Sequence, residues 1–146
     1  MNFRVFYLLV GLMGATAVAL GALGAHFLKT FVDLGVLTPA SLASFETAVK
    51  YHLIHSVVLL MCIYFAKHYN NSLLRAAAYL FFAGVILFSG SIYFLSTKAI
   101  TQIEGLSWLG PITPLGGLCM IAGWLCLGFG LYKTKHHSHS HHNEHH

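Results

Sequence analysis

Three histidines give this sequence its clearest capacity for chemistry. His52 and His55 lie three residues apart, and His26 closes an earlier apolar run. Imidazole binds zinc, copper and nickel and titrates near neutral pH. At a spacing of three, two side chains share one side of a helix. His26, His52 and His55 are therefore a candidate metal site, or a candidate proton relay or pocket for a small polar ligand. The spacing is not that of a zinc protease, which needs histidines four apart with a general-base Glu between them. A hydrogen-bonded network that fixes the ends of neighbouring helices is the reading that needs no ligand. Glu46 stands four residues before Lys50, the favourable order for a helical ion pair. Tyr51 lies on the ridge of His55, and Ser89 and Ser91 bring hydroxyls from a later run. Those serines could reach the histidines or satisfy a carbonyl one turn back in their own helix.

Seven of the eleven histidines fall after Lys135, in His136-His137-Ser138-His139-Ser140-His141-His142-Asn143-Glu144-His145-His146. Such a tract offers interchangeable ligands, among them His136, His137, His139, His141 and His142, to zinc, copper or nickel. It cannot pack, so residues 136–146 are expected to be a disordered cytoplasmic tail. An expression tag would have a similar composition, although tags are usually unbroken runs. Nothing else suggests catalysis. No paired carboxylates, no nucleophile with a nearby base and no phosphate loop stand out, so the chain is expected not to be an enzyme and to need no cofactor.

The elements that hold these residues follow from composition. Hydrophobic residues make up 57% of the 146, and Asp, Glu, Lys and Arg only 8%; the mean hydropathy is +0.71. A soluble domain carries about 25% charged residues. Twelve charges cannot wet the surface of a water-soluble fold of this length, nor form the basic patch of a nucleic-acid binder. Lipid is the expected partner. Four apolar stretches, near residues 5–26, 48–66, 76–97 and 112–132, match the roughly 20 residues that cross a bilayer core. In hydrocarbon such runs are helices, because every backbone donor needs an internal acceptor. Short connections then give an all-α membrane protein, a four-transmembrane-helix up-down bundle over residues 1–135.

Thr38-Pro39 marks a helix start, a hydroxyl cap followed by proline at the first position. A helix from Pro39 to Ala66 is longer than the bilayer core, so residues 39–47 form an interfacial helical segment in or projecting from the headgroup layer. Trp108 suits an interfacial anchor and Tyr93 an aromatic belt, while Trp124 reads as a lipid-facing or packing aromatic. Arg4, Lys67, Arg75, Lys133 and Lys135 share one side, against Lys29, Lys50 and Lys98 on the other. That bias places both termini in the cytoplasm. His26, Lys50, His52 and His55 should then gather at a similar depth near the opposite face.

Two rows of small residues predict close helix contacts: Gly14, Ala17, Gly21 and Gly24 in the first span, and Gly116, Cys119, Gly123, Cys126 and Gly130 in the fourth. Cys119 and Cys126 are read as packing residues, since seven positions along a helix put them about 10 Å apart, beyond disulfide reach. Self-association into a homo-oligomer or a membrane complex stays open.

Four ordered motifs carry a resemblance. Gly21-Ala22-Leu23-Gly24-Ala25-His26, Phe45-Glu46-Thr47-Ala48-Val49-Lys50-Tyr51-His52 with His55, Phe88-Ser89-Gly90-Ser91-Ile92-Tyr93, and Leu109-Gly110-Pro111-Ile112-Thr113-Pro114-Leu115-Gly116-Gly117 resemble the domain-of-unknown-function 423, or YgdD-like, small bacterial inner-membrane proteins. The likeness spans roughly Phe3 to Tyr132 and leaves out the histidine tail. It implies a four-span inner-membrane protein and brings no reaction or catalytic residue with it. The expected role is a non-enzymatic structural or accessory component, the alternative a protein that handles a metal ion, protons or a small ligand.

Overall fold

The computed structural model describes residues 1–139, with side chains through Thr134. Four long helices account for nearly all of them: α1 (Phe3–Asp33), α2 (Pro39–Tyr69), α3 (Ser72–Thr101) and α4 (Ile112–His139). All four spans are long and apolar enough to cross a membrane. Among the described residues there is no strand. α4 runs through His139; residues 140–146, including His141 and His142 of the histidine tract, lie outside the described residues.

The helix ends follow local chemistry. Thr38 caps α2, its Oγ1 accepting from the Ser41 amide at 3.1 Å, with Pro39 at the first helical position. Two asparagines make the turn into α3. Asn70 adopts the left-handed conformation (φ 47°) that closes α2, and Asn71 accepts from the Leu73 amide at 2.8 Å to open α3. The Asn71 amide also donates to the Gly130 carbonyl at 3.0 Å, tying that turn to α4.

Helices pack chiefly on their chain neighbours: α1 on α2, α2 on α3, α3 on α4. The result is a row folded up and down, and a groove lies wherever two helices flank a shared middle one. The main core is made by α2 and α3, around Leu59, Ile63, Ala78 and Phe81, with Met120 from α4. A smaller core of Leu28, Leu37 and Phe45 closes the end where α1 turns into α2. It explains residues 39–47: they continue α2 without a break, and Phe45 fastens them to α1. At 31 residues, α2 is about 46 Å long, so its first turns project beyond a bilayer core of about 30 Å.

The α4 small-residue row is a contact surface. Gly116, Gly123 and Gly130 are buried and Cys119 and Cys126 half-buried. A Cβ on Gly116 would fall on the backbone of Leu87 and Phe88, and one on Gly84 would meet the Gly116 carbonyl at 3.1 Å. Helices so close need glycine on both sides. In α1 the row is shorter than expected. Ala17 is fully buried, and Cβ atoms on Gly21 and Gly24 would touch Val49 and Phe45 at 3.3 and 3.2 Å, but one on Gly14 would meet nothing within 4 Å. Beyond Ala17 the larger Met13 and Val10 make the packing contacts, so Gly14 is not part of the seam.

Two π turns interrupt the helices, Gly24–Leu28 in α1 and Ile86–Gly90 in α3. Each falls in a segment with notable polar residues: His26 in the first, Ser89 in the second. A π turn inserts one residue and re-aims the side chains around it, and such turns are frequent at functional sites.

Candidate functional site

The antiparallel register of α1 and α2 decides where the histidines stand. Gly21 meets Val49 and Gly24 meets Phe45. That pairing sets His26 level with about Ala43 and His52 level with about Val18, an axial separation of about 12 Å. His26 also lies on the exposed side of its π turn. The expected convergence of His26, His52 and His55 therefore does not occur. No group of three His, Cys, Asp or Glu among the described residues could hold a metal ion. Glu46 and Lys50 are likewise both exposed, and no ion pair joins them; at the projecting end of α2, water screens each of them separately.

His55 is buried and its two nitrogens are both engaged. Nε2 accepts from the Trp124 indole N–H at 3.3 Å. Nδ1 lies 2.8 Å from the Tyr51 carbonyl oxygen. An indole nitrogen only donates and a carbonyl only accepts, so the proton sits on Nδ1. The ring is held between Tyr51, stacked at 5.7 Å and 9°, and Phe81 and Trp124 at 5.5 and 6.2 Å. No lone pair is left for a metal. Trp124, expected to face lipid or to pack, is 48% exposed and packs edge-on against Phe81, and its indole N–H is in addition the polar partner of His55.

His52 differs. Its Nδ1 is 3.2 Å from the Tyr93 hydroxyl, which makes Tyr93 a cross-helix partner. Nε2 has no partner, yet no fully buried side-chain nitrogen or oxygen among the described residues lacks one. Nε2 must therefore reach open space, although the residue is only 8% exposed. That space is a groove of about 380 Å³ between α1 and α3, with His52 of α2 on its floor. Leu12, Thr16 and Leu20 form one wall; Val85, Gly90 and Tyr93 form part of the other. Thr16 spends its hydroxyl on the carbonyls of Leu12 and Met13, both at 2.9 Å. The imidazole nitrogen is thus the one uncommitted polar atom that the hydrogen bonding leaves to this apolar cavity.

The serines act as cross-ties. Ser89 donates to the Ala48 carbonyl at 2.9 Å, joining α3 to α2. Ser91 donates to the Phe88 carbonyl at 2.9 Å and lies 2.6 Å from the Thr113 hydroxyl, joining α3 to α4. Neither bonds a histidine. Ser89 lies within the π turn of α3 and Ser91 directly after it, and the turn lies against Gly116, so the irregular backbone is pinned from two sides.

These features define a four-span, all-helical membrane protein whose buried polar residues include two histidines with separate duties and several serines that tie helices together. The chain belongs to the family described as Protein of unknown function (DUF423), whose profile matches residues 20–117. It is 38% identical over 125 residues to the UPF0382 membrane protein YwdK of Bacillus subtilis (strain 168), covering 85% of this chain and 93% of that protein. A UPF0382 membrane protein of Haemophilus influenzae is 34% identical over 127 residues, covering 87% and 93%. The UPF0382 membrane protein C1782.12c of Schizosaccharomyces pombe is 37% identical over 117 residues, covering 77% and 89%. No solved structure matches the chain. His26, Glu46, Lys50, His52, His55, Ser89 and Thr113 all fall within the family match, and Trp124 lies beyond it.

Proposed function

We propose that this chain is a non-enzymatic accessory protein of the bacterial inner membrane that holds a small lipid-soluble molecule in the groove between α1 and α3. The observation that carries the reading is the unpaired Nε2 of a nearly buried His52 facing an otherwise apolar cavity. Burying a polar group without a partner is costly, and a ligand bearing one carbonyl or hydroxyl would remove that cost. A phenol is the better donor toward an imidazole nitrogen, so Tyr93 donates to Nδ1 and His52 presents N–H to the ligand. A cavity of this size with one polar group in apolar walls is the usual form of a small-molecule site. The Lys and Arg distribution favours both termini in the cytoplasm.

The structural part of the role is supported by His55, Ser89 and Ser91, whose hydrogen bonds are spent on neighbouring helices. The test uses a diazirine-bearing hexadecanol photo-crosslinked to the purified full chain. Labelling should map to groove residues such as Leu12 and Val85 and fall about tenfold in His52→Phe, the worth of one hydrogen bond made in an apolar site. His52→Gln, which keeps a donor, should retain most of it. Labelling spread evenly over lipid-facing residues, or unchanged in His52→Phe, would overturn the assignment.

A further inference from the structure

The two ends of the bundle differ in charge more sharply than the overall composition suggests. Where α1 and α3 begin and α2 and α4 end stand Arg4, Lys67, His68, Arg75 and Lys133, with no carboxylate among the described residues. Asp33, Glu46 and Glu104 all belong to the opposite end. Among the described residues the basic end thus carries a field with no carboxylate to offset it, at the level where lipid phosphates lie.

One place on this rim is shaped as well as charged. A cleft of about 360 Å³ is lined by Tyr7, Tyr64, Lys67 and His68. It shares Tyr7 and Tyr64 with a second cleft of about 370 Å³, whose other lining residues are Leu60, Met61 and Phe65. The upper compartment is cationic and hydroxylated, and the lower one is wholly apolar. The Lys67 ammonium lies 6.0 Å from the centroid of the Tyr7 ring. His68 stacks on Tyr64 at 6.3 Å with the rings 2° from parallel. Aromatic rings on both sides thus restrain the Lys67 ammonium and the His68 imidazole in place. Among the described residues Lys67 has no anionic partner, whereas Arg75 on the same rim donates to Asn70 at 2.7 Å.

We propose that this two-compartment cleft binds an anionic phospholipid. The phosphate sits against Lys67 and His68, the tyrosine hydroxyls lie at the waist, and an acyl chain runs along Leu60, Met61 and Phe65. Basic pockets between membrane helices take lipid headgroups in this way. The apolar lower compartment selects a lipid over a free anion. A second copy of the chain does not fit, because it would bring the same uncompensated cations to the same rim. The site is separate from the groove of His52 and stands or falls independently of it.

The experiment is native mass spectrometry of the full chain released from nanodiscs of phosphatidylcholine and phosphatidylglycerol in equal amounts. Retained phosphatidylglycerol should exceed phosphatidylcholine about fivefold, roughly the effect of one cation near an anionic surface. Lys67→Gln should abolish the preference and Arg75→Gln should keep it. Equal losses in the two variants would show a diffuse charge effect and overturn the site, as would the absence of any preference. Millimolar inorganic phosphate should not displace the lipid. Displacement would reassign the cleft to free anions.

Discussion

Trp124 of α4 and His55 of α2 are joined by a hydrogen bond of 3.3 Å from the indole N–H to the imidazole Nε2. The bond bridges two helices whose main packing partner is α3, and it fixes the tautomer of a buried ring. Trp124→Phe keeps most of the apolar bulk and leaves Nε2 unpaired. It should lower stability by about 1–3 kcal/mol, read as a reduced melting temperature in detergent. Nitrogen NMR of the labelled histidine in the native chain should show the proton on Nδ1. A proton on Nε2 would refute the bond.

The glycine seam gives a paired test. Gly116→Ala places a methyl group on the backbone of Leu87 and Phe88, and overpacking of that kind costs about 1–3 kcal/mol. Gly14→Ala meets nothing and should be neutral or slightly stabilising, because glycine is the poorer helix former. Gly123→Leu, driven into Phe81, should disrupt assembly. Detergent denaturation of the three variants side by side decides the matter, and equal behaviour of Gly14→Ala and Gly116→Ala would contradict the seam.

Gly90 lines the groove of His52, and a Cβ there meets nothing within 4 Å. Gly90→Leu should therefore occupy the groove without straining the bundle. The expected outcome is an unchanged melting temperature together with loss of hexadecanol crosslinking at Leu12 and Val85. Retained crosslinking would mean that the probe sits elsewhere.

Metal binding should segregate to the histidine tract. Zinc bound by the full chain, counted by atomic emission after dialysis, should disappear when the chain is ended at Lys135. His52→Ala in the full chain should leave the zinc count unchanged. Zinc that survives the truncation and is lost in His52→Ala would restore a metal site in the body.

Much of this architecture was legible before any coordinates. The cap at Thr38-Pro39, the four spans and the row Gly116-Gly123-Gly130 each rest on local chemistry or on periodicity, and each stands as expected. The candidate site was only half legible. His52 and His55 do share a helix side, but three residues amount to a turn of about 60° around the axis. One ring therefore meets the groove and the other meets α4. His26 missed the cluster because the register of α1 against α2 is set by Gly21 and Gly24, and spacing along one helix carries no register information. Trp124 and Tyr93 were unreadable as partners: their bonds span 69 and 41 residues. The π turns leave no mark on hydrophobic periodicity, because a single inserted residue shifts the apolar pattern too little to show in so apolar a run.

The row arrangement has a consequence for supply. The groove over α2 has walls on two sides and no fourth helix to close it, so in a bilayer its missing side is formed by acyl chains. A molecule held there as proposed would arrive at His52 sideways from within the leaflet, without crossing an aqueous vestibule. Its effective concentration is then set by how strongly it partitions into the membrane, and bulk dilution in the surrounding water scarcely matters.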